Sequence, residues 1–333
     1  MPSSNKSTAW LPWIGILLLA GFPFFSGFLG LDYYTGFVMR LLIAIIIVNS
    51  LNFLLGYGGM VALGHAGFIG IGSYAMVALV EAGITSVWVL WVGATVITAI
   101  GAALIGLVVL RTRGIYFLMI TLAFAQMIYY IAVSLRQYGG DDGYILSTPL
   151  TFGLGFDPMD TNTLYAVVLA MFVLTFAFFN RLVDSRFGKA VIGIRDNPVR
   201  MQVLGYPTFK LQLQAFVIGS AVAGLGGAMM MTQNGFISPS TIHWTHSAEL
   251  LVMVALGGMG YKWGAILGAG LWGLMKEFLP QLTEYWHWPM GLLIIIIILY
   301  APNGLWALFS GEPGSAGQGW QNNRLLKLIR RQA

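Results

Sequence analysis

Long apolar runs, separated by short polar interruptions, set the pattern of this chain. A helix that crosses a bilayer needs roughly 20 mostly apolar residues. Runs of that kind lie at 10–31, 37–56, 87–110, 115–135, 163–180, 211–232 and 289–309. Three more, 66–82, 248–258 and 264–282, are apolar but interrupted by glycine, which lets helices approach closely or break where a pathway runs between them. The pattern predicts an all-α polytopic membrane protein of about 8–10 transmembrane helices, some of them short or broken. The first run follows a lone Lys6 and has no clear small-x-small cleavage site, so it reads as a retained helix rather than a cleaved signal peptide.

Composition agrees with the pattern. Of 333 residues 58% are hydrophobic and only 9% charged, whereas a soluble globule carries about 25% charge. The net charge of +5 does not point to nucleic acid, because the basic residues lie between apolar runs instead of forming a patch. They are distributed by side. With the N-terminus cytoplasmic and the spans alternating, all of the 17 Lys and Arg except Arg40, Arg136 and Lys276 fall inside, as the positive-inside rule requires. This places 181–210 in a cytoplasmic loop and 136–162 and 233–247 in external loops, with both termini cytoplasmic in a bacterial inner membrane. With no cysteine in the chain, disulfides, Cys-based metal sites and thiol catalysis are excluded.

The loop at 181–210 is where the charges crowd. Within "FGKAVIGIRDNPVRMQVLGYPTFK", Asn197 has the character of an N-cap, Pro198 suits the first helical position, and Gly205 and Pro207 supply a stop. They frame a helix of about two turns, "PVRMQVL", whose Val199, Val203 and Leu204 form one apolar strip. So short a helix is not stable alone in water, so the strip must dock on something. Two hosts are open: the membrane domain's own cytoplasmic face, or a soluble partner.

These residues also carry a resemblance. "GKAVIGIRDNPVRMQVLGYPTFKLQLQAFVIGSAVAGLGGAMMM", then "GFISPSTI" and "ELLVMVALGGMGYKWGAILGAGL", resemble the second half of the membrane subunits of branched-chain amino acid ABC importers, the LivM-type permeases. "NFLLGYGGMVALGHAGFIGIGSYAMVAL" and "RTRGIYFLMITLAFAQMIY" are similar to the first half, and the likeness runs in one order over 40–305. The resemblance implies a permease domain over 1–309 and a cytoplasmic coupling segment that sits in a cleft of a separate ATPase subunit. Gly188, Ala190, Arg195, Asp196, Val203, Leu204 and Gly205 fall in that segment. Where the family more usually has an acidic residue after the Arg-x pair, this chain has Asn197-Pro198, which strengthens the helix start. It further implies a second permease, similar or identical, and an extracytoplasmic binding protein that hands over the substrate, with the external loop 136–162 and its Asp141, Asp142, Asp157 and Asp160 as a place to dock it or simply as a solvated loop.

The energy source follows from what the chain lacks. No G-x-x-x-x-G-K-[ST] phosphate loop is present, since Gly188-Lys189 is followed by Ala190 and has no upstream glycine. The chain therefore binds no cofactor of its own, and ATP is used by the partner. An ion-gradient carrier calls for ionisable residues within the membrane, yet between Leu41 and Leu110 the only charge is Glu81. The alternative reading is a urea or short-amide permease of the same type, or a stand-alone carrier or channel for a neutral solute.

Asn49, Asn52, His65, Thr121 and Gln126 are candidate pathway residues able to hydrogen-bond a solute, or equally helix-to-helix contacts. His65 in "LGHAG" is expected to bond backbone at a helix break. Glu249 is expected to open a helix, and Lys276 and Glu277 to neutralise each other. "GYGGMVALGHAGFIGIGSYAM" and "LGGMGYKWGAILGAGLWGLM" share a Gly-Gly-Met start and hint at an internal repeat whose copies line the route together. The tail, 310–333, reads as a flexible linker and a basic amphipathic end, "RLLKLIRR", resting on membrane lipid.

Overall fold

The computed structural model describes residues 32–152, 160–301 and 303–310. The run at 10–31, Asp157 and the tail beyond 310 lie outside the described residues. Almost everything described is helical. In chain order the helices are α1 (Asp32–Asn52), α2 (His65–Glu81), α3 (Val87–Val109), α4 (Ile115–Ser134), α5 (Thr161–Asp184), α6 (Arg186–Asp196), α7 (Pro198–Val203), α8 (Thr208–Asn234), α9 (Trp244–Gly257), α10 (Gly264–Leu282), α11 (His287–Tyr300) and α12 (Leu305–Ser310). Five stretches, α1 with its continuation to Tyr57, α3, α4, α5 and α8, are long and apolar enough to cross a bilayer.

Two of these form the centre. The most apolar window of α1 is 78% buried and that of α8 67%, against 22–33% for α3, α4 and α5, which form the rim. Glycine lets the centre close. A Cβ on Gly72 of α2 would lie 2.1 Å from the Gly224 carbonyl of α8, and one on Gly227 would lie 2.1 Å from the Ile69 carbonyl. The two helices therefore cross with their backbones touching, and no side chain fits between them.

The helix ends segregate into two faces. One carries the basic loops, including the α3–α4 turn with Arg111 and Arg113 and the α5–α8 connection. On the opposite face the loops are stitched together. β1 (Tyr144–Ile145) pairs antiparallel with β2 (Phe236–Ile237), Tyr144 opposite Ile237. The Leu146 amide adds a bond to the Gly235 carbonyl at 2.8 Å, and Thr151 bridges Ser86, accepting from the Val87 amide and donating to the Thr85 carbonyl. The Tyr144 hydroxyl donates to Glu81. The segment 136–152 is thus anchored to the loop after α8 and is not a free solvated loop.

Three boundaries differ from the sequence pattern. The run at 289–309 is not one helix: α11 ends at Tyr300, and a turn with Gly304 at φ +85° separates it from α12. The charged run 186–196 is itself a helix, where only the following segment was expected to be one. Finally, α9 begins at Trp244 and deep in the bundle. Ile242, just before it, packs on Gly70, which is eleven residues before Glu81 on α2, or about 16 Å at 1.5 Å per residue.

Candidate functional site

The basic face holds the site. Ser185 caps α6 by accepting from the Gly188 amide at 3.2 Å. Gly188 lies against the Leu182 and Val183 carbonyls, where a Cβ would come within 2.3–2.4 Å, so the chain can reverse tightly out of α5 only with glycine here. The helix is amphipathic, and Ala190, Val191 and Ile194 are buried against the bundle.

The next helix, α7, forms as its sequence dictates. Asn197 has extended φ/ψ of −155° and 94°, and its side-chain oxygen accepts from the Arg200 amide at 2.9 Å. Pro198 occupies the first turn, and Gly205 ends the unit at φ +85°. The apolar strip is exposed among the described residues: Val199, Val203 and Leu204 are 63%, 82% and 64% exposed. Of the two hosts the sequence left open, the described residues do not cover the strip.

Arg195 turns inward. Its Nη1 donates to the Gly56 carbonyl at 2.6 Å, while Nε and Nη2 hold Asp196 at 3.0 and 2.7 Å. The side chain is only 13% exposed, whereas that of Asp196 is 61% exposed. Gly56 belongs to a π-helical turn, Phe53–Tyr57, that finishes α1. Beyond it Gly59, at φ +68°, lies flat against the Arg195 side chain, with 2.5 Å to Cγ for any added Cβ. Arg195 thus joins α6 to the broken end of α1.

A second clamp acts on the same turn. The Asn52 amide nitrogen donates to the Tyr261 carbonyl at 2.9 Å, and its oxygen accepts from the Gly260 amide at 2.9 Å. Both ends of the side chain are used on backbone, so Asn52 fastens α1 to the α9–α10 break. Lys262 in that break pairs with Asp184 at the end of α5 at 2.7 Å. The two Gly-Gly-Met stretches, Gly58-Gly59-Met60 and Gly257-Gly258-Met259, therefore sit together on the basic face, and Gly56 and Gly260 approach so closely that a Cβ on the first would lie 2.2 Å from the second's nitrogen. Beside them is a cavity of about 400 Å³, lined by the 58–61 segment, the 110–118 turn, Ile194, Arg195, Pro198 and Gln212.

The remaining candidates are dispersed. His65 is fully buried, with Nε2 2.9 Å from the Ser50 hydroxyl, whose own hydrogen goes to the Ile47 carbonyl. Nε2–H is therefore the donor to the Ser50 hydroxyl, with the Ile47 backbone also interacting with the ring. Thr121 accepts from the Leu63 amide at 3.2 Å, pinning the re-entrant segment 58–64 to α4. Asn49 is buried, and the buried Gln126 Nε2 has no partner among the described residues. Glu249 does not open its helix, since α9 starts five residues earlier. It takes Lys276 of α10 as its partner at 3.0 Å.

The match to a known family spans nearly all of this architecture. Residues 33–300 fit the family described as the branched-chain amino acid transport system permease component. The chain belongs to that permease family. Among its relatives, the high-affinity branched-chain amino acid transport system permease protein LivM of Salmonella typhimurium is 30% identical over 287 residues, covering 79% of this chain and 68% of the relative. LivM of Escherichia coli K12 matches to the same extent. The LivH permease protein of Escherichia coli K12 is 26% identical over 279 residues, 77% of this chain and 89% of its own length. No solved structure matches. In this permease the shared region contains α6, α7 and both Gly-Gly-Met breaks.

Proposed function

We propose that this permease is the membrane subunit of an ATP-binding cassette importer for branched-chain or related amino acids, in a bacterial inner membrane with its basic face cytoplasmic. An extracytoplasmic binding protein delivers the solute to the stitched opposite face, a second permease completes the route, and a separate ATPase supplies the energy. The observation that carries the reading is the capped helix α7 with Val199, Val203 and Leu204 turned away from the chain. An aqueous apolar strip on a preformed helix is what a groove in a soluble partner recognises, and the chain has no phosphate loop of its own. The relatives' names support the substrate class.

Inward from the strip, Arg195 and Asn52 give the movement somewhere to go. A shift of α7 moves α6, α6 pulls on the Gly56 carbonyl through Arg195, and the two Gly-Gly-Met breaks move as a pair. Co-expression with the ATPase and binding protein, followed by reconstitution in liposomes, tests this. Leucine uptake should require internal ATP and the ATPase subunit; uptake without them refutes the importer in favour of a stand-alone carrier.

A further inference from the structure

An ionic cluster on α9 and α10 lies outside the coupling node. Glu249 is 3.0 Å from the Lys276 ammonium, and His246 Nδ1 is 3.6 Å from the same carboxylate oxygen. It sits within the span. Gly273, three residues before Lys276, packs on Leu41 of α1, inside the apolar stretch 34–57 that is long enough to cross a bilayer. On the neighbouring helix, the Ser247 hydroxyl holds the Ala66 amide at the buried start of α2.

The cluster is nevertheless open, with side chains 27% (His246), 32% (Glu249) and 47% (Lys276) exposed. Ionisable groups at such depth face a protein interior or a water-filled space, because acyl chains leave them unsolvated. The chain shows elsewhere what it offers lipid: the outer face of α3 is Val92, Val96, Ile100 and Leu104. The α9–α10 surface is of another kind, mixing these charges with exposed Trp244, Leu274 and Phe278.

One carboxylate and one ammonium, side by side with an apolar surround, complement an α-amino acid: the head group is a zwitterion of the opposite arrangement and the side chain is aliphatic. We propose that Glu249, Lys276 and His246 hold the transported zwitterion within the membrane, its ammonium on Glu249 and its carboxylate on Lys276. His246 remains beside Glu249 when Lys276 turns to the ligand. The assignment rests on the amino-acid importer reading above.

Because the chain has no cysteine, a single introduced thiol reports on this surface. Thr245→Cys, at an exposed position one residue from His246, is compared with Val96→Cys on α3 in the reconstituted complex, using a charged, water-soluble thiol reagent. Thr245→Cys is expected to label at least about tenfold faster, since a lipid-facing thiol meets no water. L-leucine with the binding protein slows that labelling severalfold, and Lys276→Met keeps the labelling but abolishes the protection. If Thr245→Cys fails to assemble, Trp244→Cys takes its place. Labelling as slow as at Val96→Cys means that lipid or a partner subunit covers the face, and the proposal falls. Fast labelling that leucine protects no better than urea leaves a wet surface without an amino-acid site, and the proposal falls again. Failure of the importer reading is distinct, because unmodified protein then shows no ATP-dependent uptake.

Discussion

Replacing Leu204 by aspartate tests the coupling surface most directly. Leu204 is 64% exposed at the C-terminal end of α7, so the substitution removes little internal packing and insertion should be unaffected. Full burial of a leucine side chain is worth about 1.5–3 kcal/mol, and docking can bury only the exposed part, about 1–2 kcal/mol. Aspartate adds a carboxylate beside the negative end of a helix, about 0.3–1 kcal/mol, and must lose water to enter an apolar groove, another 1–3 kcal/mol or so. The sum, about 2–6 kcal/mol, weakens docking by at least 30-fold or so, at 1.4 kcal/mol per decade. ATP-dependent leucine uptake in proteoliposomes and stimulation of the ATPase by loaded binding protein should both collapse, while the amount of inserted protein stays the same. Uptake at the unmodified rate refutes the argument that this strip meets the ATPase.

Arg195→Ala leaves the buried Gly56 carbonyl without its charged donor, a loss of about 1.5–3 kcal/mol; the ATPase should still bind but hydrolyse more ATP per leucine moved, and Arg195→Lys should recover part of the ratio. Asn52→Leu removes its hydrogen bonds to the Gly260 amide and the Tyr261 carbonyl, each worth about 0.5–1.5 kcal/mol, so thermal unfolding in detergent should shift several degrees downward. The Asp160 carboxyl is held below its ordinary value of 3.8 by the Thr163 hydroxyl and amide that it accepts from as cap of α5. Its contribution is complete above that value and is lost as pH falls through the depressed one. The thermal-stability difference between wild type and Asp160→Ala should be constant from pH 5 to 8 by this linkage and shrink only below about pH 4.

Local rules were legible where local physics decides. Asn197, Pro198 and Gly205 mark out α7 because cap, first turn and positive-φ stop are each satisfied within a few residues. The long apolar runs became α3, α4 and α5 with ends shifted by few residues, since length and hydropathy suffice for helices at the rim. Pairings between distant segments were not legible. Nothing near Arg195 in sequence announces that its guanidinium turns inward to Gly56, 139 residues away, nor anything near Lys276 that it reaches Glu249 on another helix. The α6 helix was hidden by its charge: a run containing Lys189 and Arg195 reads as loop until its buried face, Ala190, Val191 and Ile194, is seen against the bundle. Asn52 shows the same limit. An amide in an apolar run signals a hydrogen bond but not its recipient.

The backbone contact between α2 and α8 determines where this molecule can bend. With Gly72 against Gly224 and Gly227 against Ile69, the pair has no layer of side chains to slide or repack, so it behaves as a stiff spar running through the centre. Compliance is left to points where the chain leaves regular helix, among them the 58–64 and 258–263 segments, and Asn52 pins the second of these to the end of α1 from which the first departs. An opening that rotates helices about these segments has its pivot on the basic face, and Arg195, bonded to Gly56 close to that pivot, acts where a small displacement becomes a large one at the far ends of α2 and α10.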